Sequence, residues 1–284
     1  MISTVITSRM GNQLFQYAFA YATARKLKTD FILNTKEGKH GYILKKYFVL
    51  HNRNFIREIL IAGWFKWLKK KNKIQEVHQT GWDDPYSIIH KMTDLTEYRG
   101  YFQSLEYFAH CQDDIRRLFT IKTPFVNKFI KKYGELFEQR KTIVVHLRRT
   151  DYIKYGKDTL GGKNMCLPDD YIISCLDKIK NLASHNLIII SDDINYAITN
   201  FSRLYPSAYF EHDSEITDFQ FLIHADILIL SNSSFAWWGA FLNPKKDKIV
   251  YAPEYWIGFK IEKEYPAKII CPGWNMIKVH SNVV

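Results

Sequence analysis

Residues 142–151 read TIVVHLRRTD. Four uncharged, mostly β-branched residues at 142–145 run straight into His146, Arg148, Arg149 and Asp151. So short an apolar run suits a strand covered on both faces. The pattern recurs twice. Residues 187–190 (LIII) lead into Ser191, Asp192 and Asp193, and residues 227–230 (ILIL) lead into Ser231, Asn232, Ser233 and Ser234. Helical segments at about 168–180, 194–203, 216–224 and 235–242 alternate with these strands, and 249–251 reads as a last short one. That alternation predicts an α/β unit with a parallel sheet. The carboxyl ends of parallel strands share one edge, where ligands bind. Three polar strand ends on one edge therefore read as a site.

The first half is a second α/β unit. A strand at 4–7 leads through Ser8, Arg9, Met10 and Gly11 into a helix over 12–27. Leu14, Phe15, Ala18, Phe19 and Ala22 share one face of that helix. A strand at 31–33, a helix over 53–73, a strand at 98–102, a helix opening at 104–110 and a charged helix over 124–139 follow. The domain boundary is placed in 123–141, giving domains 1–130 and 131–284.

Each candidate site residue has a chemical reading and a plainer one. Arg148 and Arg149 offer planar donor forks for phosphate, but only one of two neighbours points easily at a ligand. For Arg149 the plainer reading is a surface ion pair. His146 either hydrogen-bonds a ligand or fixes the loop backbone. Asp192 and Asp193 suit a ribose hydroxyl or a guanine edge, and one of them suits a helix N-cap before Ile194. Asn232, Ser233, Ser234 and Phe235 stand at a helix start that presents free N–H groups to an anion, with capping as the alternative. Trp237 and Trp238 read as core rings. In the first half, Gly11 allows close backbone approach and Asn12 can donate or accept.

The chain carries 40 Lys and Arg against 29 Asp and Glu, a formal charge of +11. That charge favours anionic partners without choosing among them. Seven Trp, 18 Tyr and 19 Phe suffice for a large core and a sugar- or base-binding cleft. A nucleic-acid-binding protein is the rival reading, but its lysines would form a stripe with interleaved rings, and here they are spread along many helices. The four cysteines, Cys111, Cys166, Cys175 and Cys271, lack C-x-x-C or zinc spacing. They read as reduced, core-filling thiols of a cytoplasmic protein. The start MISTVITSRMGNQ lacks the features of a signal peptide, and no apolar run is long enough to span a bilayer. Residues 59–73, ILIAGWFKWLKKKNK, place rings beside a basic run and suit peripheral contact with the inner membrane face as well as an ordinary solvated helix end. No G-x-G-x-x-G, P-loop or D-x-D sequence is present. Without a metal, a departing diphosphate needs fixed positive charge, which Arg148 and helix starts supply.

The segments MGNQLFQYAFAYATARKL, GYFQSLEYF, VVHLRRTDY, SDD and DFQFLIHADILILSNSSFAWWGAFLNP resemble bacterial α-1,2-fucosyltransferases of glycosyltransferase family 11. The resemblance runs from near Met10 to near Pro244 and is weakest between about 35 and 95. It implies a GT-B fold, two Rossmann-like domains facing a central cleft, with an acceptor-side first domain and a GDP-sugar-binding second. It also implies GDP-β-L-fucose as donor, inversion, no required metal or other cofactor, and no nucleic acid. The implied acceptor is a galactose-containing glycan such as an O-antigen repeat, carried on a lipid. Family roles map Arg148 onto the diphosphate, Asn12 onto the reaction centre, and Asp192, Asp193, Ser233, Ser234 and Phe235 onto guanosine. Asp151 and Asp158 are the candidate general bases, with the leaving phosphate as a third acceptor of the proton. Some relatives carry a carboxylate where this chain has Gly156. A different deoxysugar or linkage on the same fold is the alternative.

Overall fold

The computed structural model describes residues 1–50 and 55–280. The chain divides into two compact units, Met1–Lys122 with Pro266–Ile269, and Thr123–Tyr265 with Ile270–Val284. The division falls at 122/123 and not at 130/131. The helix after it buries Phe129 and Tyr133 against Phe221, so it belongs wholly to the second unit.

The first unit runs β1 (Ile2–Val5), α1 (Met10–Leu27), β2 (Phe31–Asn34), α2 (Leu44–Tyr47), α3 (Phe55–Lys70), β3 (Gln75–His78), α4 (Pro85–Ile89), β4 (Thr96–Arg99) and α5 (Gln112–Leu118). Two 3-10 turns, Leu105–Tyr107 and Ala109–Cys111, stand where the sequence suggested a helix from Ser104. The sheet order is β2-β1-β4-β3, parallel throughout. The apolar stripe read on α1 understates its burial. Tyr17, Ala20 and Ala24 are covered as well, and the Phe19 ring stacks on Phe102 with centroids 3.7 Å apart.

The second unit runs α6 (Thr123–Glu138), β5 (Thr142–Leu147), β6 (Gly156–Lys157), β7 (Gly162–Lys163), α7 (Asp169–Leu176), β8 (Asn186–Ser191), α8 (Ile194–Phe201), β9 (Tyr209–Glu211), α9 (Glu215–His224), β10 (Ile227–Ile229), α10 (Ser234–Leu242), β11 (Ile249–Pro253) and β12 (Asn275–Ile277). Apart from the small antiparallel β6–β7 hairpin, its strands form one parallel sheet in the order β12-β11-β10-β5-β8-β9. Every residue of β5 and β8 is buried, as expected for central strands with helices on both faces. In chain order this is the 3-2-1-4-5-6 arrangement of a Rossmann unit. From β5 the chain winds one way through β8 and β9, then returns to lay β10 on the other side of β5. The reversal lies between β5 and β10, where an open parallel sheet leaves a crevice at its carboxyl edge.

Trp237 and Trp238 are core rings, fully buried and edge-on to each other at 5.1 Å. The four cysteines are all buried. α10 lies close on α9 because Gly239 has no side chain. A Cβ there would stand 2.5 Å from Leu222 Cβ. Gly239→Ala is therefore expected to push the two helices apart and to lower unfolding stability by about 1–3 kcal/mol. A urea melt superimposing on that of the unsubstituted chain would show that this contact is not tight.

Candidate active site

The site begins with the β5–β8 ladder. Six consecutive pairs run from Thr142 opposite Asn186 to Leu147 opposite Ser191. The next residues on each strand, Arg148 and Asp192, therefore emerge side by side. Arg148 Nη1 stands 3.1 Å from Asp192 Oδ2, and Nη2 stands 2.7 Å from Asp151 Oδ1. The two carboxylates differ. Asp192 is mostly buried, accepts from the Arg149 backbone N–H at 2.8 Å and from the Thr150 hydroxyl, and is locked in place. Asp151 is half exposed.

Burial alone would push the Asp192 carboxyl up, but the Thr150 hydrogen bond and the Arg148 charge outweigh it and hold Asp192 below the usual carboxylate range. Burial likewise opposes the charge on Arg148, and Asp192 and Asp151 more than offset it. The pair is ionised.

Among the described residues Arg149 makes no ion pair. Its guanidinium lies over the Tyr196 ring at 3.5 Å, and the Tyr196 hydroxyl donates to Asp169. The planar cation is thereby stacked rather than paired. Between the two aspartates the division is clear. Asp193 Oδ1 accepts from Tyr196 N and caps α8, while Asp192 faces Arg148.

On the other side of β5, across the reversal, His146 Nδ1 lies 2.7 Å from Ser231 Oγ, and its ring stacks on Phe235 at 5.5 Å. Burial first, and then the Arg148 charge, pulls the imidazole down to about 4. Ser233 Oγ accepts from Phe235 N and caps α10, whose first turn begins at Ser234. Asn232 is fully buried, donates Nδ2–H to the Met165 carbonyl and accepts through its backbone carbonyl from the Tyr152 hydroxyl. The elements around β5 thus bring His146, Arg148, Asp151, Asp192, Asp193, Asn232, Ser233, Ser234 and Phe235 to one edge of one sheet.

Asp158 lies outside this hydrogen-bonded cluster, exposed in the 3-10 turn Asp158–Leu160 of the β6–β7 hairpin. Gly156 pairs with Lys163 at a φ of 135°, and a side chain there would collide with the Gly162 carbonyl. This chain can hold no carboxylate at that position.

Gly11 and Asn12 stand in the first unit, in the first turn of α1 after β1. The turn is strained at Ser8, a non-glycine residue at φ 67°. Asn12 Nδ2 donates to Ser8 Oγ at 2.9 Å, and Asn12 Oδ1 accepts from Gln103 Nε2 at 2.7 Å. Gln13 donates to the Ser8 and Gly41 carbonyls and accepts from Ile43 N. Gln16 accepts from Thr7 N and donates to the Gly100 carbonyl. Both glutamines are buried and tie three loops to α1.

Sequence reasoning missed Gln13, Gln16, Gln103, Thr150, Tyr152 and Tyr196. The glutamines carried a signal, since amides inside an apolar helix must find buried partners. Among the described residues no group of three or more His, Cys, Asp or Glu is placed to hold a metal ion.

An exposed histidine titrates near ~6.5. With folded His146 at about 4, the unfolded chain takes up the proton first. Stability from this group is therefore complete above about 6.5 and is lost as pH falls from about 6.5 towards about 4. His146→Asn is expected to flatten that part of the profile of Tm against pH. An unchanged slope between these limits would contradict a buried neutral imidazole.

Residues 49–278 match the family model described as Glycosyl transferase family 11. An α-1,2-colitosyltransferase of Escherichia coli is 29% identical over 266 residues, covering 87% of this chain and 89% of that protein. The O-antigen biosynthesis glycosyltransferase WbnK of Escherichia coli is 26% identical over 290 residues, covering 88% and 93%. Among solved structures, the NodZ α-1,6-fucosyltransferase soaked with GDP-fucose superposes with a TM-score of 0.53 at 13% identity, covering 85% of this chain and 92% of that one. At that identity the likeness is one of fold, and it agrees with a GT-B-type chain of two Rossmann-like units. The family match spans both units and includes the Arg148 strand end, so the chain belongs to glycosyltransferase family 11 and is a glycosyltransferase.

Proposed function

We propose that the chain is an inverting α-1,2-fucosyltransferase. It moves L-fucose from GDP-β-L-fucose to the 2-hydroxyl of a β-linked galactose on a glycan such as an O-antigen repeat, on the cytoplasmic side of the membrane. The observation that carries this reading is the Arg148 guanidinium at the sheet reversal, with one arm held by locked Asp192 and the other on half-exposed Asp151. A diphosphate replaces Asp151 on the second arm without disturbing the first. The names of the two Escherichia coli relatives support the linkage and the glycan, and the GDP-fucose-soaked NodZ supports the donor.

In this reading the second unit takes the nucleotide sugar and the first the acceptor. The acceptor oxygen attacks C1 of fucose, the bond from C1 to the β-phosphate oxygen breaks, and GDP leaves. Negative charge grows on the departing phosphate, and in this reading Arg148 and the first turn of α10 receive it. His146 stays neutral and orients the ligand by hydrogen bonding. Asp193 caps α8 through Oδ1 and offers Oδ2 to a ribose hydroxyl. The hydroxyl proton goes to Asp151, which the diphosphate releases from Arg148 beside the leaving group. Asp158 is the weaker candidate because it stands outside the cluster.

A second reading keeps the linkage and changes the sugar, since the relative at 29% identity is named for colitose. GDP release measured in EDTA, from GDP-fucose and GDP-colitose with β-galactoside acceptors, separates the two. Acceptor-dependent release from GDP-fucose with an α-1,2 product supports the first. Release from GDP-colitose alone supports the second. A strict metal requirement contradicts both.

Arg148→Ala loses a charged hydrogen bond worth about 1.5–3 kcal/mol, so kcat/KM is expected to fall about tenfold to more than a hundredfold. Near-normal turnover in a folded R148A protein would refute the diphosphate assignment. Asp151→Asn is expected to lower kcat by about 10²-fold or more while leaving GDP binding intact. Unchanged kcat in D151N would give the proton to the leaving phosphate.

A further inference from the structure

α3 presents an apolar face that stays largely exposed among the described residues. Ile56, Ile59, Leu60, Trp64 and Trp67 are 67%, 56%, 67%, 53% and 46% exposed. At 3.6 residues per turn these positions fall within an arc of about 140°. The opposite side is buried through Phe65 and Leu68. Polar contacts fix which side faces out. Near its start Arg57 pairs with Asp30 at 3.0 Å, and near its end Lys69 bonds to Glu97 at 2.7 Å and pairs with Glu76 at 3.2 Å. Glu97 is itself buried in β4, so the helix cannot roll to hide its apolar stripe without pulling Lys69 off a buried carboxylate.

The stripe leads into a cationic end. Lys66, Lys70, Lys71 and Lys73 are exposed, and no acidic residue occurs between 59 and 73. At the junction the Trp64 and Trp67 rings stack at 4.9 Å. Indole rings between an aliphatic patch and a run of lysines match the layering of a bilayer surface, with acyl chains, then the interfacial boundary, then the phosphate-bearing headgroups. A nucleic acid would satisfy the lysines but offers no apolar phase for Ile56, Ile59 and Leu60.

We propose that this face of α3 docks the chain on an anionic bilayer, with Ile56, Ile59, Leu60 and the two indoles at the acyl–headgroup boundary and the four lysines against lipid phosphates. The surface involves none of the site residues above, so the inference stands apart from the identity of the donor sugar.

Flotation of the full chain with phosphatidylcholine vesicles, and with vesicles containing one quarter phosphatidylglycerol, tests it. The chain is expected to float with the anionic vesicles, to stay down with the neutral ones, and to release in 0.5 M salt. Two variants separate the contributions. L60S/W64S/W67S removes apolar contact and K66Q/K70Q/K71Q/K73Q removes charge. All these side chains are exposed, so folding is retained and checked by circular dichroism. Each variant is expected to lose at least about tenfold in vesicle affinity. The proposal fails if the unsubstituted chain does not float with anionic vesicles, or if both variants float as it does. It also fails if sedimentation shows a dimer that L60S/W64S/W67S converts to monomer without any lipid binding, because a second copy then covers the face.

Discussion

In the second unit every strand of the main sheet runs the same way, so all carboxyl ends emerge on one edge. This constraint places the candidate active site. The β5–β8 ladder carries Arg148 to Asp192 residue by residue, and the β5–β10 ladder ends one pair before His146, which leaves its ring within hydrogen-bond reach of Ser231. A one-residue slip would turn Arg148 to the opposite face of the sheet and leave Asp192 without its cation. A carboxylate buried without its cation costs several kcal/mol, so the register and the ion pair hold each other.

The electrostatics of that edge are asymmetric. Arg148 has one fixed carboxylate and one that stands half in water. A cation caged by two locked carboxylates would be neutralised and useless to an anion. A cation with none would be mobile and poorly aimed. The observed arrangement orients the guanidinium while leaving one arm exchangeable. Beside it, the histidine is kept neutral by burial and by the Arg148 charge, so it adds hydrogen-bonding capacity without a second buried cation.

The first unit solves a related problem by other means. Its β1–α1 turn holds Ser8 in a left-handed conformation, and three loops meet there. Buried amides do the tying, since Gln13 and Gln16 each satisfy backbone groups on separate loops. Asn12 is held in the same net through Ser8 and Gln103. The MGNQLFQ segment thus serves the architecture of the turn as much as any ligand.

Much of this was legible in the sequence. Residues 142–145, 187–190 and 227–230 are apolar enough to be nothing but buried strands, and their polar sequels mark one edge. The burial of Trp237 and Trp238 in the core followed from their setting. The strands β3, β9 and β12 were not legible, because each lies at the edge of its sheet and is held by its neighbour's ladder rather than by its own hydrophobicity. The covering of α1 on nearly all sides was hidden for the same reason, since burial depends on what surrounds a helix. By itself the sequence determined the α/β class, the shared edge and the residue types upon it, because apolar periodicity and strand direction are local properties. Only the tertiary structure decided that Asp192 takes Arg148 while Asp193 caps α8, that Arg149 stacks on Tyr196, and that α3 turns its apolar stripe outward. Those outcomes are set by register and by partners distant in the chain, which no local pattern encodes.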